Sequence, residues 1–167
     1  MRKRASLAMG IVATAVLLVA ALGGMSSAQT VHQATMDGFQ EVPSISSTGT
    51  GELTVRISES EQMIRYTLKY SGLEGSVTQA HIHLGQEGVA GGVMVFLCGG
   101  GGKPACPQAG QVKGQIVPDD IIGPSAQGID AGEFDEAVAA IEAGFTYGNV
   151  HSDKHPGGEI RGHLGTS

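Results

Sequence analysis

Beyond its N-terminal segment the chain alternates apolar and polar residues with a period of two, broken by turn residues. In "GELTVRISES" (51–60), Leu53, Val55 and Ile57 alternate with Glu52, Thr54 and Arg56. In "QMIRYTLKYSG" (62–72), Ile64, Tyr66, Leu68 and Tyr70 alternate with Arg65, Thr67 and Lys69. Successive side chains of a strand point to opposite faces, so this alternation predicts strands with one buried face. "TQAHIHLG" (78–85), "GGVMVFLC" (91–98), "GQVKGQIV" (110–117), "FTYGNVH" (145–151) and "GEIRGHLG" (158–165) read the same way.

One segment departs from that period. "DAGEFDEAVAAIEAG" (130–144) places Phe134, Val138 and Ile141 at i, i+4 and i+7, with Asp130 and Glu133 in capping-box spacing and Gly144 at the stop. This predicts a short amphipathic helix near 130–143, its apolar stripe packed on the sheet. Many short strands with a single helix predict an all-β fold: an antiparallel β-sandwich or Greek-key barrel. With no Trp and only four Phe, its core must be built from Val, Ile and Leu.

The first residues change the picture of where the protein works. Arg2, Lys3 and Arg4 precede an uncharged, mostly apolar run from Leu7 to Leu22, and Ser26 and Ala28 occupy the −3 and −1 positions of a small-residue cleavage site. Residues 1–28 therefore read as a signal peptide and 29–167 as one exported domain, periplasmic or secreted. The apolar run is rich in Ala and Gly and shorter than the ~20 residues of a spanning helix, so no stable membrane insertion is expected after cleavage. Cleavage leaves seven basic against sixteen acidic residues, a net charge of −9. An acidic chain without a basic stripe is a poor partner for nucleic acid. Cys98 and Cys106 flank "GGGGKPA"; their spacing is wider than a metal knuckle, and in an exported protein it predicts a disulfide across a glycine-rich, mobile loop.

Five of the six histidines lie in "AHIHLG" (80–85) and "GNVHSDKHPGGEIRGHL" (148–164). Alternation puts Ala80, Ile82 and Leu84 on the core face and His81 and His83 together on the other. It likewise turns Val150 inward and Asn149 and His151 outward, and turns Ile160, Gly162 and Leu164 inward and Glu159, Arg161 and His163 outward. If these strands are neighbours, His81, His83, His151 and His163 converge on one surface patch, with Asp153 and His155 in the adjoining loop as further ligands. All-nitrogen donor sets suit copper or zinc. The alternative is a polar network in which the histidines, Glu159 and Arg161 bond one another and the backbone to hold strand register. No nucleophile–base pair stands out, and Ser152, Asp153 and His155 are loop neighbours unsuited to triad geometry. Asp119 and Asp120 read as a solvated turn. "CGGGGKPAC" lacks the strand–loop–helix setting of a phosphate loop.

"DGFQEVPSISSTGTGELTV", "YSGLEGSVTQAHIHLGQEGVAGGVMVFL" and "GFTYGNVHSDKHPGGEIRGHL", in this order, resemble the CHRD family, named for chordin and common among exported bacterial and archaeal proteins. The resemblance runs from about Met36 to Leu164. It implies an immunoglobulin-like or superoxide-dismutase-like all-β fold and carries over Glu41, His81, His83, Asn149, His151, Glu159 and Arg161 as signature positions. His155 and His163 depart from the family pattern, and both departures add histidine. The His-x-His strand is also similar to that of copper–zinc superoxide dismutase, without that enzyme's bridging histidine or zinc-ligand spacing. Three function classes follow: a binding module for an extracytoplasmic protein or polymer, a copper- or zinc-handling protein, and a dismutase-like redox enzyme.

Overall fold

The computed structural model describes residues 29–166 except Glu59 and Glu61; the signal peptide read from residues 1–28 lies outside them. The strands are β1 (Thr30–Asp37), β2 (Thr50–Ser58), β3 (Met63–Ser71), β4 (Val77–Leu84), β5 (Gly92–Cys98), β6 (Gly110–Ile116), β7 (Thr146–Ser152), β8 (Ile160–His163) and β9 (Gly165–Thr166). One helix, α1 (Phe134–Glu142), lies between β6 and β7. Every pairing is antiparallel, and the strands run β5-β4-β7-β8-β1-β2-β3-β6, with β9 beside β1. The two ends of this order, β5 and β6, approach each other, so the sheet curls into a nearly closed barrel. Going round it, β4, β5 and β6 follow one another and β3 returns beside β6, which is a Greek key.

Alternation sets the contents of the barrel. Leu53 stands opposite Ala34 on one side and Leu68 on the other, and Val55 opposite Tyr66. Leu53, Val55, Ile57, Ile64, Leu68, Ile82, Val150 and Ile160 are all fully buried. The walls come closest at two glycines. A Cβ on Gly148 would lie 2.7 Å from Leu53 Cδ2, and one on Gly162 would lie 2.2 Å from the Thr35 carbonyl oxygen. Missing side chains there let β7 and β8 press directly on the core of β1 and β2.

The helix forms where its period predicts, with Phe134, Val138 and Ile141 buried in the common core. The expected capping box does not cap it: the N-cap is Glu133, without a side-chain cap bond, and the Glu133 carboxylate instead accepts the Asp130 N–H at 2.7 Å in the turn before the helix. Gly144, at φ +77°, adopts the left-handed conformation that ends the helix.

Two expectations need correction. The strands read from the alternation begin at Gly51, yet β1 (TVHQATMD) precedes them and joins both halves of the barrel; His32, Ala34 and Met36 are its inward, buried residues. The cysteines are disulfide-bonded as expected. The glycine loop between them is not loose, however. Gly99 N–H donates to Pro104 O at 2.8 Å, Lys103 N–H donates to Gly100 O at 2.9 Å, and the Lys103 ammonium meets Asp120 at 2.8 Å. Asp120 also accepts the Val117 N–H, so this carboxylate fastens a turn to the loop.

Candidate metal centre

The outer face of β4, β7 and β8 carries the site. Register places His81 opposite Asn149, His83 opposite Tyr147, and Gln79 opposite His151; on the next strand Asn149 is opposite Arg161 and Tyr147 opposite His163. The polar residues read as outward do share the face away from the barrel core. That face is not solvent surface. His81, His83 and His151 are 4%, 7% and 8% exposed, Asn149 and Arg161 are buried, and the expected surface patch is interior.

Three loops border it, two of them tied down by residues of the face. The His83 ring bonds the Gly91 carbonyl at 3.0 Å through Nδ1, and the Tyr147 hydroxyl accepts the Gly91 N–H at 3.0 Å. Arg161 donates to Val89 O at 3.2 Å, holding the same 85–91 loop. The His151 ring bonds the Pro156 carbonyl at 3.0 Å through Nδ1, fastening the 153–158 loop. The third wall is the disulfide loop. Phe96 stands edge-on to His81 at 4.4 Å, and Cβ atoms on Gly100 or Gly101 would fall 2.3 and 2.8 Å from its ring.

These bonds decide the tautomers. A carbonyl only accepts, so His83 and His151 carry their protons on Nδ1 and leave Nε2 as an unprotonated lone pair. His81 Nδ1 lies 3.1 Å from His151 Nε2, so its proton is on Nδ1 too, donated to that lone pair. The Nε2 atoms of His81 and His83 are buried with no hydrogen-bond partner among the described residues. One nitrogen from each of the three rings falls within 4.8 Å of the other two.

Electrostatics keeps the rings neutral. Burial, with help from the neighbouring His151 and His83, pushes His81 down to about 3. Burial pushes His83 down to about 4 against the raising effect of its Gly91 bond, with His151 and Arg161 adding to the shift. Burial also lowers His151, opposed by its bond to Pro156. Neutral imidazole is the form that ligates metal.

Beside the triad lies a buried ion pair. Arg161 Nε donates to Glu41 Oε2 at 2.7 Å, and the guanidinium stands 4.5 Å above the Tyr147 ring, which in turn stacks on His83 at 4.9 Å. Burial raises the Glu41 carboxyl, opposed by Arg161. Gly158, at φ +127°, packs where any Cβ would be 2.6 Å from both Asn149 and Glu41.

The other expected residues are placed elsewhere. His163 sits against Tyr147 at 5.4 Å, outside the close triad. His155 is not one of the triad; it lies in the 153–158 loop, its backbone N–H donating to the Ser152 hydroxyl at 3.1 Å. The Asp153 carboxylate is held by the Ser76 N–H at 2.7 Å. Glu159 does not join Arg161: it binds Ser47 at 2.7 Å and the Glu74 N–H at 2.6 Å, closing one end of the barrel. Burial raises the Glu159 carboxyl, but the combined hydrogen bonds from Ser152, Glu74, Ser47 and Gly75 bring it below its usual range. Tyr147 was missed in the sequence although it shares the parity of Asn149 and His151; that parity was the available signal. Phe96 had the same kind of signal, alternating with the apolar core positions of its strand.

Residues 32–164 match the family described as CHRD domain. No curated protein and no solved structure matches the chain significantly.

Proposed function

The chain belongs to the CHRD domain family, and we propose that it is an exported metal-binding module, holding one copper or zinc ion through His81, His83 and His151. The observation that carries this reading is the pair of bare, buried Nε2 atoms on His81 and His83. A network built only to brace the sheet would use its ring nitrogens on partners, because each buried polar atom left unpaired costs roughly 1–3 kcal/mol. Here Nδ1 of His83 and of His151 is fixed by a backbone carbonyl, and one nitrogen of each ring lies within 4.8 Å of the others in the triad. Fixing one ring nitrogen with a backbone carbonyl so that the other faces the ion is how proteins orient histidine ligands. Export is supported by the Cys98–Cys106 disulfide, and no helix among the described residues is long and apolar enough to cross a membrane.

The test is metal content. Protein from the exported fraction is loaded with copper or zinc, dialysed and analysed by mass spectrometry beside a His81→Ala/His83→Ala variant. About one equivalent, lost in the variant, is the expected outcome; less than a tenth of an equivalent in the native protein overturns the reading.

A second reading, capture of a protein or polymer without metal, has its own observation. The opposite side of the barrel carries an open groove of about 460 Å³ lined by Thr35, Glu52, Lys69, Tyr70 and Gln111. Placing a bulky residue at Thr35 and finding metal content unchanged but partner capture lost would favour it.

A further inference from the structure

The donor set says more than that a metal fits. We infer that the His81–His83–His151 site selects monovalent copper over Zn(II) and Cu(II); the inference rests on the metal reading above and specifies its ion. Three observations carry it.

The first is charge. All three donors are imidazoles, and no carboxylate belongs to the group. Of the nearby carboxylates, Asp153 is committed to the Ser76 N–H and Glu159 to Ser47 and Glu74, while Glu41, whose Oε2 accepts from Arg161, lies outside the ligand group. Both cysteines are joined to each other, so no thiolate supplies the missing negative charge. An ion here keeps its full formal charge among ligands only 4–8% exposed. The cost of removing an ion from water grows with the square of its charge, so a divalent ion is penalised about four times as heavily as a monovalent one.

The second is the neighbouring cation. Arg161 stacks over Tyr147, and Tyr147 stacks over His83, putting a guanidinium two rings away. Glu41 neutralises it in part, and what remains opposes a doubly charged guest more than a singly charged one.

The third is coordination number. Zinc held by three protein ligands completes its tetrahedron with water or substrate. The triad's side toward β5 is walled by the Phe96 ring, backed by Gly100 and Gly101, and the side toward β8 by the Tyr147 ring. On those two sides a zinc-bound water would meet ring carbon and not a strong acceptor. A filled d-shell monovalent ion is satisfied by three nitrogens and needs no such water.

The experiment is an anaerobic competition titration of the exported protein. Cu(I) is delivered from its bicinchoninate complex, and Zn(II) and Cu(II) are titrated in parallel against chromophoric chelators. The expected result is one equivalent of Cu(I) bound at least about 100-fold more tightly than either divalent ion. A His151→Asn variant with an unchanged near-ultraviolet dichroism spectrum should lose that preference. Zn(II) or Cu(II) binding as tightly as Cu(I) overturns this inference and leaves the metal reading standing. Failure of all three ions to bind stoichiometrically overturns both. X-ray absorption at the copper edge supplies the independent readout: three nitrogen neighbours support the inference, and four or more light-atom neighbours overturn it.

Discussion

His81 Nδ1 and His151 Nε2 stand 3.1 Å apart across the β4–β7 ladder, one ring donating its only N–H to the lone pair of the other. The contact joins residues seventy positions apart. It ties a His-x-His strand to a strand that follows the helix in the chain.

Because His81 and His83 are held neutral, the metal-free protein should lose stability in acid. Their folded values of about 3 and about 4 lie below the 6.5 of a free imidazole. Between pH 6.5 and those values the unfolded chain binds protons that the folded chain does not, so stability is full above pH 6.5 and falls as pH drops toward 3. Urea unfolding from pH 7 to pH 4 checks this. A His81→Gln/His83→Gln variant should show a flatter profile, and an equally steep one would place the acid sensitivity elsewhere.

Tyr147 is not among the three candidate ligands, but it holds the loop that orients His83. Tyr147→Phe keeps the stacking ring and removes the acceptor of the Gly91 N–H. Losses of orienting partners typically weaken metal sites about 10- to 100-fold. Chelator competition should show that weakening with the stoichiometry kept at one, and an unchanged affinity would make the hydroxyl a purely structural anchor.

Glu41 and Arg161 are buried together, so removing one strands the other. Glu41→Gln should destabilise the protein by about 3–5 kcal/mol in chemical denaturation. Replacing both partners, as Glu41→Leu/Arg161→Met, should cost less than either single change once the lost Arg161–Val89 bond is allowed for. A double variant worse than both singles would refute the account.

Opening the disulfide should reach the histidines through Phe96. Cys98→Ser/Cys106→Ser releases a short loop, a loss of about 2–3 kcal/mol on chain-entropy grounds. It also frees Gly100 and Gly101 from the Phe96 ring that abuts His81. Hydrogen exchange at the His81 and Phe96 amides should rise together with that at the loop; protection unchanged at His81 would show that the wall stands without the bond.

Much of the barrel was legible in the sequence because its signals are local. The strand faces, the helix stripe and the glycine stop follow from side-chain periods of 2 and 3.6 that hold over a few residues. Leu53, Val55 and Ile57 are buried as their alternation requires, and Phe134, Val138 and Ile141 as theirs does. β1 escaped notice because its inward set includes His32 beside Ala34 and Met36, a weak apolar signal that the barrel overrides by burying it. Glu159 was misassigned because parity alone does not say that a residue at the mouth of a strand bends away to cap a neighbouring loop.

The sequence by itself determined that His81 and His83 share one side of a strand, that His151 and Arg161 lie on the side of theirs opposite the apolar residues, and that the cysteines are close enough to join. Backbone geometry settles those facts within a handful of residues. Only the tertiary structure decided that β4 lies beside β7, which brings three histidines together and leaves His163 and His155 apart. It also decided that loops from three parts of the chain roof the face and turn it from surface to interior. Which strands meet is set by closure of the barrel round its core, a balance struck over the whole chain, and no local pattern of residues contains it.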